Sequence, residues 1–349
     1  MRGLWLAQIL RQPGGGRGRG IHPLAEAQLQ LARQPALASS LPQLTYERAH
    51  SVQNASNPEE FPLIRCGSAA AGARDYTRGV SDDDLLELAL GAAREAGSLL
   101  LHRFGGPVSG VESKSSATDM VSDADRAAER LVLDRIAAAR PDDGVVAEES
   151  GRAAGGSGLV WVVDPLDGTT NYLFSYPVWA VSIACEDADG GRVAVVHDPC
   201  RNETFAAVRG RGATLNGRPV HTRSPRGLDR ALVGTGFSYR PADRAFQASV
   251  LTHVLGEVRD IRRGGSAALD LAWVACGRLD GFYEWGIKHW DRAAGMLLVS
   301  EAGGTAAVFD PGEGLDSCVV AAAADLHDPL RGLVTAAVAA SRRPSDPLH

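Results

Sequence analysis

Cysteine is scarce and scattered in this chain. There are five in 349 residues, Cys66, Cys185, Cys200, Cys276 and Cys318, and no two form a C-x-x-C pair. That argues against a disulfide framework and a zinc knuckle and suits a reducing cytoplasm. Basic charge is not in excess either. Lys and Arg number 36 against 42 Asp and Glu, a formal net charge of −6. With no basic aromatic face, this balance argues against nucleic acid as a partner. No apolar run approaches the roughly 20 residues of a membrane span, so no membrane partner is expected. The opening MRGLWLAQIL is apolar in flavour but is cut short by Arg11, Gln12 and Pro13. A secretory signal is therefore weak, while an organelle-type presequence stays open because Arg outnumbers acid there. What is present is a hydrophobic content of 44%, enough for one large domain or two smaller ones.

Residues 1–80 differ from the rest. Gly14-Gly15-Gly16-Arg17-Gly18-Arg19-Gly20 is of low complexity, and the polar stretch after it has no sustained apolar period. Such a segment buries too little surface to offset its chain entropy, so it is expected to be a disordered extension. Val80 is a candidate native start, a hypothesis that a native peptide from residues 24–33 would refute by mass spectrometry. Order is expected from Ser81, where Ser81-Asp82-Asp83-Asp84 supplies a helix cap and an acidic first turn. Residues 81–342 then read as one folded domain and 343–349 as a disordered tail.

Within that domain helices and strands alternate. Helical spacing marks the stretch after Ser81, Ala124–Ile136, Ala242–Leu255, Ser266–Cys276, Trp290–Ala302 and Asp328–Ala340. Short buried strands are expected at Val145–Ala147, Leu159–Val163, Val178–Cys185, Arg192–His197, Thr204–Val208 and Leu279–Glu284. The mixture predicts a layered α/β or α+β domain.

The stretch VVDPLDGTTN, residues 162–171, carries the chemistry. A strand end delivers Asp164 and Asp167 into a cleft, and Pro165 holds Asp164 extended. Gly168 permits a tight bend, and Thr169-Thr170 opens a helix or turn whose free N–H groups can receive an anion. Two carboxylates so close repel unless one holds a proton or a cation lies between them. With Glu148 and Glu149 nearby in sequence, the donors are all oxygen, which suits Mg²⁺ or Mn²⁺ and not zinc. A metal beside an anion seat suggests phosphate, with an activated water and a stabilised leaving oxygen. Taken alone, Asp-Pro-x-Asp-Gly is also ordinary turn chemistry, and Glu148-Glu149 a solvated strand end.

Four blocks in order remove that ambiguity: Lys114–Asp125 (KSSATDMVSDAD), Glu148-Glu149-Ser150, Trp161–Asn171, and Trp290-Asp291-Arg292-Ala293-Ala294-Gly295. Together they resemble the inositol monophosphatase family of Mg²⁺-dependent, lithium-sensitive phosphomonoesterases, from about Ser81 to Ala340. Gly234-Thr235-Gly236-Phe237 and Arg262–Asp270 look most like the actinobacterial inositol-1-monophosphatases of the SuhB type. The resemblance implies an αβαβα layered sandwich and a homodimer. It implies that Glu148, Asp164 and the carbonyl of Leu166 hold a first Mg²⁺, and Asp164, Asp167 and Asp291 a second. Glu148 would also touch a third, mostly hydrated ion. Thr169 would orient the attacking water and Asp125 polarise it. Gly168 and Thr169 would contact phosphate, while Asp167, Glu284, Asp291 and the backbone of Gly265, Ser266 and Ala267 would meet the substrate.

Two departures stand out. Ala147 precedes Glu148 where many relatives have Gly, a change on the backbone side. Trp285-Gly286-Ile287-Lys288-His289 puts a cation near the substrate mouth, which bears on which alcohol is accepted. The leading expectation is hydrolysis of myo-inositol monophosphate. The alternatives are a histidinol-phosphate phosphatase, and more remotely a fructose-1,6-bisphosphatase or a nucleotide 3′-phosphatase. A regulatory or binding protein is the non-enzymatic alternative. His197, His253 and His289 have no ligand-like spacing and are expected in surface or structural roles, and Trp273, Val274 and Ala275 in the core.

Overall fold

The computed structural model describes residues 80–107, 109–114, 120–310 and 316–341. The expected extension at 1–80, apart from Val80, and the tail at 343–349 fall outside these residues. So does the Ser115–Asp119 part of the first block.

The chain opens with α1 (Asp82–Arg103), a short β1 (Glu112–Ser113) and β2 (Met120–Val121) pair, and α2 (Asp123–Ala139). Ser81 caps α1 through the amide of Asp84 at 3.1 Å, as its sequence predicts. Then follow β3 (Gly144–Ala147), β4 (Gly151–Ala153), β5 (Val160–Asp167), α3 (Thr169–Leu173), β6 (Ala180–Asp187), β7 (Gly190–Asp198), β8 (Glu203–Val208), β9 (Ala213–Leu215) and β10 (Arg218–Val220). The second half comprises β11 (Leu232–Thr235), α4 (Pro241–Leu255), β12 (Asp260–Arg262), α5 (Ala267–Ala275), β13 (Gly281–Trp285), α6 (His289–Glu301), β14 (Gly304–Phe309), β15 (Cys318–Ala323) and α7 (Ala324–Ser341).

Eight strands form one sheet in the order β10-β9-β8-β7-β6-β5-β3-β4, and five form another in the order β12-β11-β13-β15-β14. Side-chain alternation assigns the layers. On β5, Trp161 and Val163 pack with Leu85, Ala89 and Leu100 of α1 and Val132 and Ile136 of α2. Val162, on the other face, packs with α5 and α6. The small sheet repeats the pattern. Phe282, Val319 and Ala321 face α5 and α6, whereas Tyr283, Val320 and Ala322 face α4 and α7. The result is five layers, αβαβα, with α5 and α6 in the middle. Helix α5 is apolar on nearly every side, as a helix between two sheets must be. Gly295 of α6 lets the pair close up, since a Cβ there would lie 2.5 Å from Leu271 Cβ.

Differences from the sequence reading concern boundaries and short strands. Strand β5 runs four residues past Val163, and α7 starts at Ala324, taking in Pro329. Strands β1, β2, β4, β9, β10, β11, β12, β14 and β15 are not among those the sequence predicts. Most have only three or four residues, and β15 (CVVAAA) is half alanine, which carries little strand preference of its own. Of the apolar trio, Val274 and Ala275 are fully buried, while Trp273 is partly exposed.

Candidate active site

The end of β5 explains how Asp164 and Asp167 can act together. In a regular strand, residues three apart point to opposite faces. Here Asp164 pairs with Ser182 and Asp167 with Ala180, so three steps on β5 oppose two on β6. This β-bulge returns both carboxylates to the face that carries α5 and α6. Pro165 sits inside the bulge, where its missing N–H disturbs no ladder bond. The amide of Leu166 donates to Asp164 Oδ1 at 3.0 Å and fixes that side chain. Gly168 follows at φ +97°, and a Cβ there would come 3.0 Å from Val178 O and 3.2 Å from Gly265 O. Glycine is thus required both for the turn and for the approach of the Gly265 loop that leads into α5. Asn171 locks that approach, its Nδ2 donating to Val178 O at 2.7 Å and Gly264 O at 3.0 Å.

The other acids arrive from distant elements. Glu148 lies in the β3–β4 turn, where Lys114 Nζ bridges Glu148 at 2.6 Å and Glu149 at 2.5 Å. Asp167 accepts from Ser266 Oγ at 2.5 Å and Ala268 N at 2.7 Å, at the start of α5. Asp291 caps α6, accepting from Lys288 N at 2.6 Å. Asp125, fully buried, accepts from Ser122 N at 3.0 Å and Ser122 Oγ at 2.5 Å, and its other oxygen faces Thr169 Oγ1 at 2.9 Å. Thr169 Oγ1 also lies 3.1 Å from Leu166 O. Glu284, at the end of β13, occupies the space a side chain at Gly236 would need.

These acids also act on one another's charge. Burial, and then the charges of Glu148, Asp167 and Asp291, hold the Asp164 carboxyl well above its ordinary range. Burial lifts Glu148 to about 7, against the opposing pull of Lys114. It lifts Asp167 to about 6 although Ser266, the α5 amides and Arg263 pull the other way. Asp291 is raised by burial and by Asp167 and Glu148, and Glu284 rises to about 8 through burial and Asp270. Such mutual raising means too much negative charge for the local cations.

An oxygen-only set of this kind has the donor chemistry of Mg²⁺ or Mn²⁺. As the side chains stand, no group of three or more His, Cys, Asp or Glu among the described residues is arranged to hold an ion. The reason is visible: the carboxylates are spent on substitutes. Glu148 hydrogen-bonds to Asp164 and pairs with Lys114, Asp167 takes Ser266 and the Ala268 amide, and Asp291 takes the Lys288 amide. The donor set, buried carboxylates that raise one another, fits such an ion in kind.

Among the residues singled out by sequence, Glu148, Asp164, Asp167, Asp291 and Glu284 lie close enough to act on one another's charge, Asp125 meets Thr169, and Ser266 meets Asp167, as does the neighbouring Ala268 amide. The structure also adds members with no signal beyond local spacing. Glu129 follows Asp125 by one turn of α2, and its Oε2 accepts the Glu149 amide at 2.8 Å. Asp270, 1% exposed, lies in the first turn of α5 with Oδ1 lacking a partner among the described residues. Arg263 stands at the mouth and offsets Asp167, Asp270 and Glu284. The histidines lie elsewhere in function: His197 is buried against Thr204 Oγ1 at 3.0 Å, His253 is exposed, and His289 Nε2 meets Glu186 at 2.9 Å.

Comparison with known proteins agrees with this geometry. The sequence model of the Inositol monophosphatase family matches residues 81–342. Over 230 residues the chain is 44% identical to the Nus factor SuhB of Escherichia coli (strain K12), covering 65% of this chain and 86% of that one. Over another 230-residue span it is 43% identical to the inositol-1-monophosphatase of Synechocystis, covering 64% and 79%. The crystal structure of the extragenic suppressor protein suhB from Bartonella henselae superposes with a TM-score of 0.67 at 38% identity, covering 72% of this chain and 98% of that one. The chain therefore belongs to the inositol monophosphatase family and is a metal-binding phosphoric monoester hydrolase.

Proposed function

We propose that this protein hydrolyses myo-inositol monophosphate to myo-inositol and phosphate, with two to three Mg²⁺ ions that Mn²⁺ can replace. The observation that carries the reading is the meeting of Glu148, Asp164, Asp167 and Asp291 beside the start of α3, each acid raised by burial and Asp164 and Asp291 further by their neighbours' charge. Glu148, Asp164 and the Leu166 carbonyl would hold one ion, and Asp164, Asp167 and Asp291 a second. Glu148 adds to a third. Bound magnesium supplies Lewis-acid polarisation of the phosphoryl group and a more acidic water.

The remaining roles belong to the chain itself. The Thr169 hydroxyl has one proton and two candidate acceptors, Asp125 Oδ1 and Leu166 O. Of the two, Asp125 is the charged and stronger acceptor, so it would take that proton when the Leu166 carbonyl is otherwise engaged. The lone pairs of Thr169 Oγ1 then accept from the attacking water and aim its oxygen at phosphorus. The first amides of α3 have no acceptor within the helix and face the phosphate, together with Gly168. Glu284 and the Gly265–Ala267 backbone hold the hydroxyls of the alcohol. The Synechocystis relative's name supports inositol as that alcohol.

We further place the protein in the cytoplasm as a homodimer acting on a small phosphate ester. Cys185, Cys200, Cys276 and Cys318 are all free thiols, in keeping with a reducing compartment. Among the described residues no helix is long and apolar enough to cross a membrane. Phe174 and Tyr176, 76% and 53% exposed just after α3, are among the exposed apolar side chains that could form the dimer contact. A regulatory role is the second reading, drawn from the Nus factor name of the Escherichia coli relative.

The test is one panel in Mg²⁺, with and without lithium: inositol-1-phosphate, histidinol phosphate, fructose-1,6-bisphosphate and adenosine 3′,5′-bisphosphate. Inositol-1-phosphate should give the highest kcat/KM, inhibited by lithium. A tenfold preference for histidinol phosphate, about 1.4 kcal/mol of transition-state discrimination, would overturn the substrate. Turnover of none of the four would favour the regulatory reading.

A further inference from the structure

Glu148 rides on a support that the sheet alone does not hold. Strand β4 is the edge of the eight-stranded sheet, and all three of its residues are exposed. The loop Glu148-Glu149-Ser150 joins Ala147 to Gly151, which pair directly across the hairpin. The Glu148 amide reaches Val163 O at 3.2 Å, the long end of the hydrogen-bond range. Edge hairpins of this kind open easily. A metal ligand, however, must be held to within about 0.5 Å to act.

A brace comes from α2. Glu129 is 4% exposed, and its Oε2 accepts the Glu149 amide at 2.8 Å. It forms no ion pair among the described residues. A buried carboxylate without a cation is expensive, and a leucine would serve the inner face of α2 better if packing were the only demand. Asp125 stands one turn earlier on the same helix and holds Thr169. Thus one face of α2 grips two separate segments of the cleft.

We propose that Glu129 is a positioning residue: its carboxylate pins the Glu149 amide and thereby aims Glu148 at Asp164. The proposal rests on the reading of Glu148 as a magnesium ligand. Three variants separate its elements. Glu129→Gln keeps the acceptor oxygen and drops the charge. Glu129→Asp keeps the charge and loses one methylene of reach. Glu129→Ala loses both.

The measurement is calorimetric titration of MgCl₂ into the metal-free, full-length protein. Hydrogen exchange of the 144–153 peptide and the split of kcat and KM for inositol-1-phosphate accompany it. Glu129→Ala and Glu129→Asp should each weaken magnesium binding at least fivefold and speed exchange at 144–153, with exchange in β6 and β7 unchanged. Glu129→Gln should stay within twofold of the native protein. If Glu129→Ala fails to fold, the Asp and Gln pair carries the comparison. Native-like binding in Glu129→Asp, or binding as weak in Glu129→Gln as in Glu129→Asp, overturns the positioning role alone. A native protein that takes up no magnesium overturns the metal reading and this role with it.

Discussion

Asp125 and Thr169 are 44 residues apart in the chain, and their side chains meet at 2.9 Å in the buried floor of the cleft. The other oxygen of Asp125 closes the capping box of α2 with Ser122. One carboxylate therefore both fixes a helix start and lies within hydrogen-bond reach of the Thr169 hydroxyl. A cap residue is rigid by construction, so Thr169 inherits a defined orientation.

Replacing Asp125 with Asn should lower kcat by a factor of about 10²–10⁴, the range for loss of general acid–base assistance, and leave KM within about threefold. The Ser122 cap stays, and the weakened buried hydrogen bonds of residue 125 to Ser122 and Thr169 should cost about 1–2 kcal/mol of stability. Steady-state rates with saturating magnesium decide it. A kcat above a third of the native value would contradict the role of Asp125.

The metal-free protein should lose stability as pH rises. Glu148, Asp167 and Glu284 titrate at about 7, 6 and 8 in the fold, against 4.5, 3.8 and 4.5 for the ordinary groups. Between these limits the native state binds more protons than the unfolded chain, so stability falls with increasing pH from about 4 to about 8. In EDTA the melting temperature should drop across that window. In saturating magnesium, which replaces the protons on Glu148 and Asp167, the drop should shrink. Two parallel curves would refute the assignment.

Asp164→Asn should abolish magnesium binding and turnover while raising metal-free stability at pH 8 by about 1 kcal/mol or more, because a buried group crowded by three acids becomes neutral. Calorimetry and urea unfolding in EDTA report the two halves separately. A metal-free variant less stable than the native protein would argue against the repulsion.

Gly236→Ala places a methyl group where the Glu284 carboxylate lies. KM for inositol-1-phosphate should rise at least tenfold, about 1.4 kcal/mol, with magnesium affinity within twofold. An unchanged KM would remove Glu284 from the alcohol pocket.

Asn171→Leu should destabilise the protein by about 2 kcal/mol, since Val178 O and Gly264 O lose their shared donor. Urea denaturation measures it, and a change under about 0.5 kcal/mol would mean that water replaces the amide.

Much of the cleft was legible because its chemistry is local. Asp164, Asp167, Gly168 and Thr169 sit in one short run, and Pro and Gly punctuate it in ways that backbone sterics make readable. The long helices were legible from their caps and periods, as Ser81 illustrates. What stayed hidden was relational. Glu129 looked like any acid on an amphipathic helix until the hairpin tip came to rest on it. Gly236 had no stated purpose until Glu284 filled the space beside it. The nine unexpected strands are short or alanine-rich, and it is their pairing partners, not their own residues, that make them strands.

By itself, the sequence determined the acidic oxygen-only chemistry, the helix caps and the turn that follows β5, because these depend on residue type and near neighbours. Only the tertiary structure decided that Asp164 and Asp167 share a face, through one extra residue in a bulge. It alone brought Glu148, Glu284 and Asp291 to them from three other elements. Charges that repel when close can be gathered only by a fold whose buried layers outweigh the repulsion, and no stretch of chain carries that balance alone.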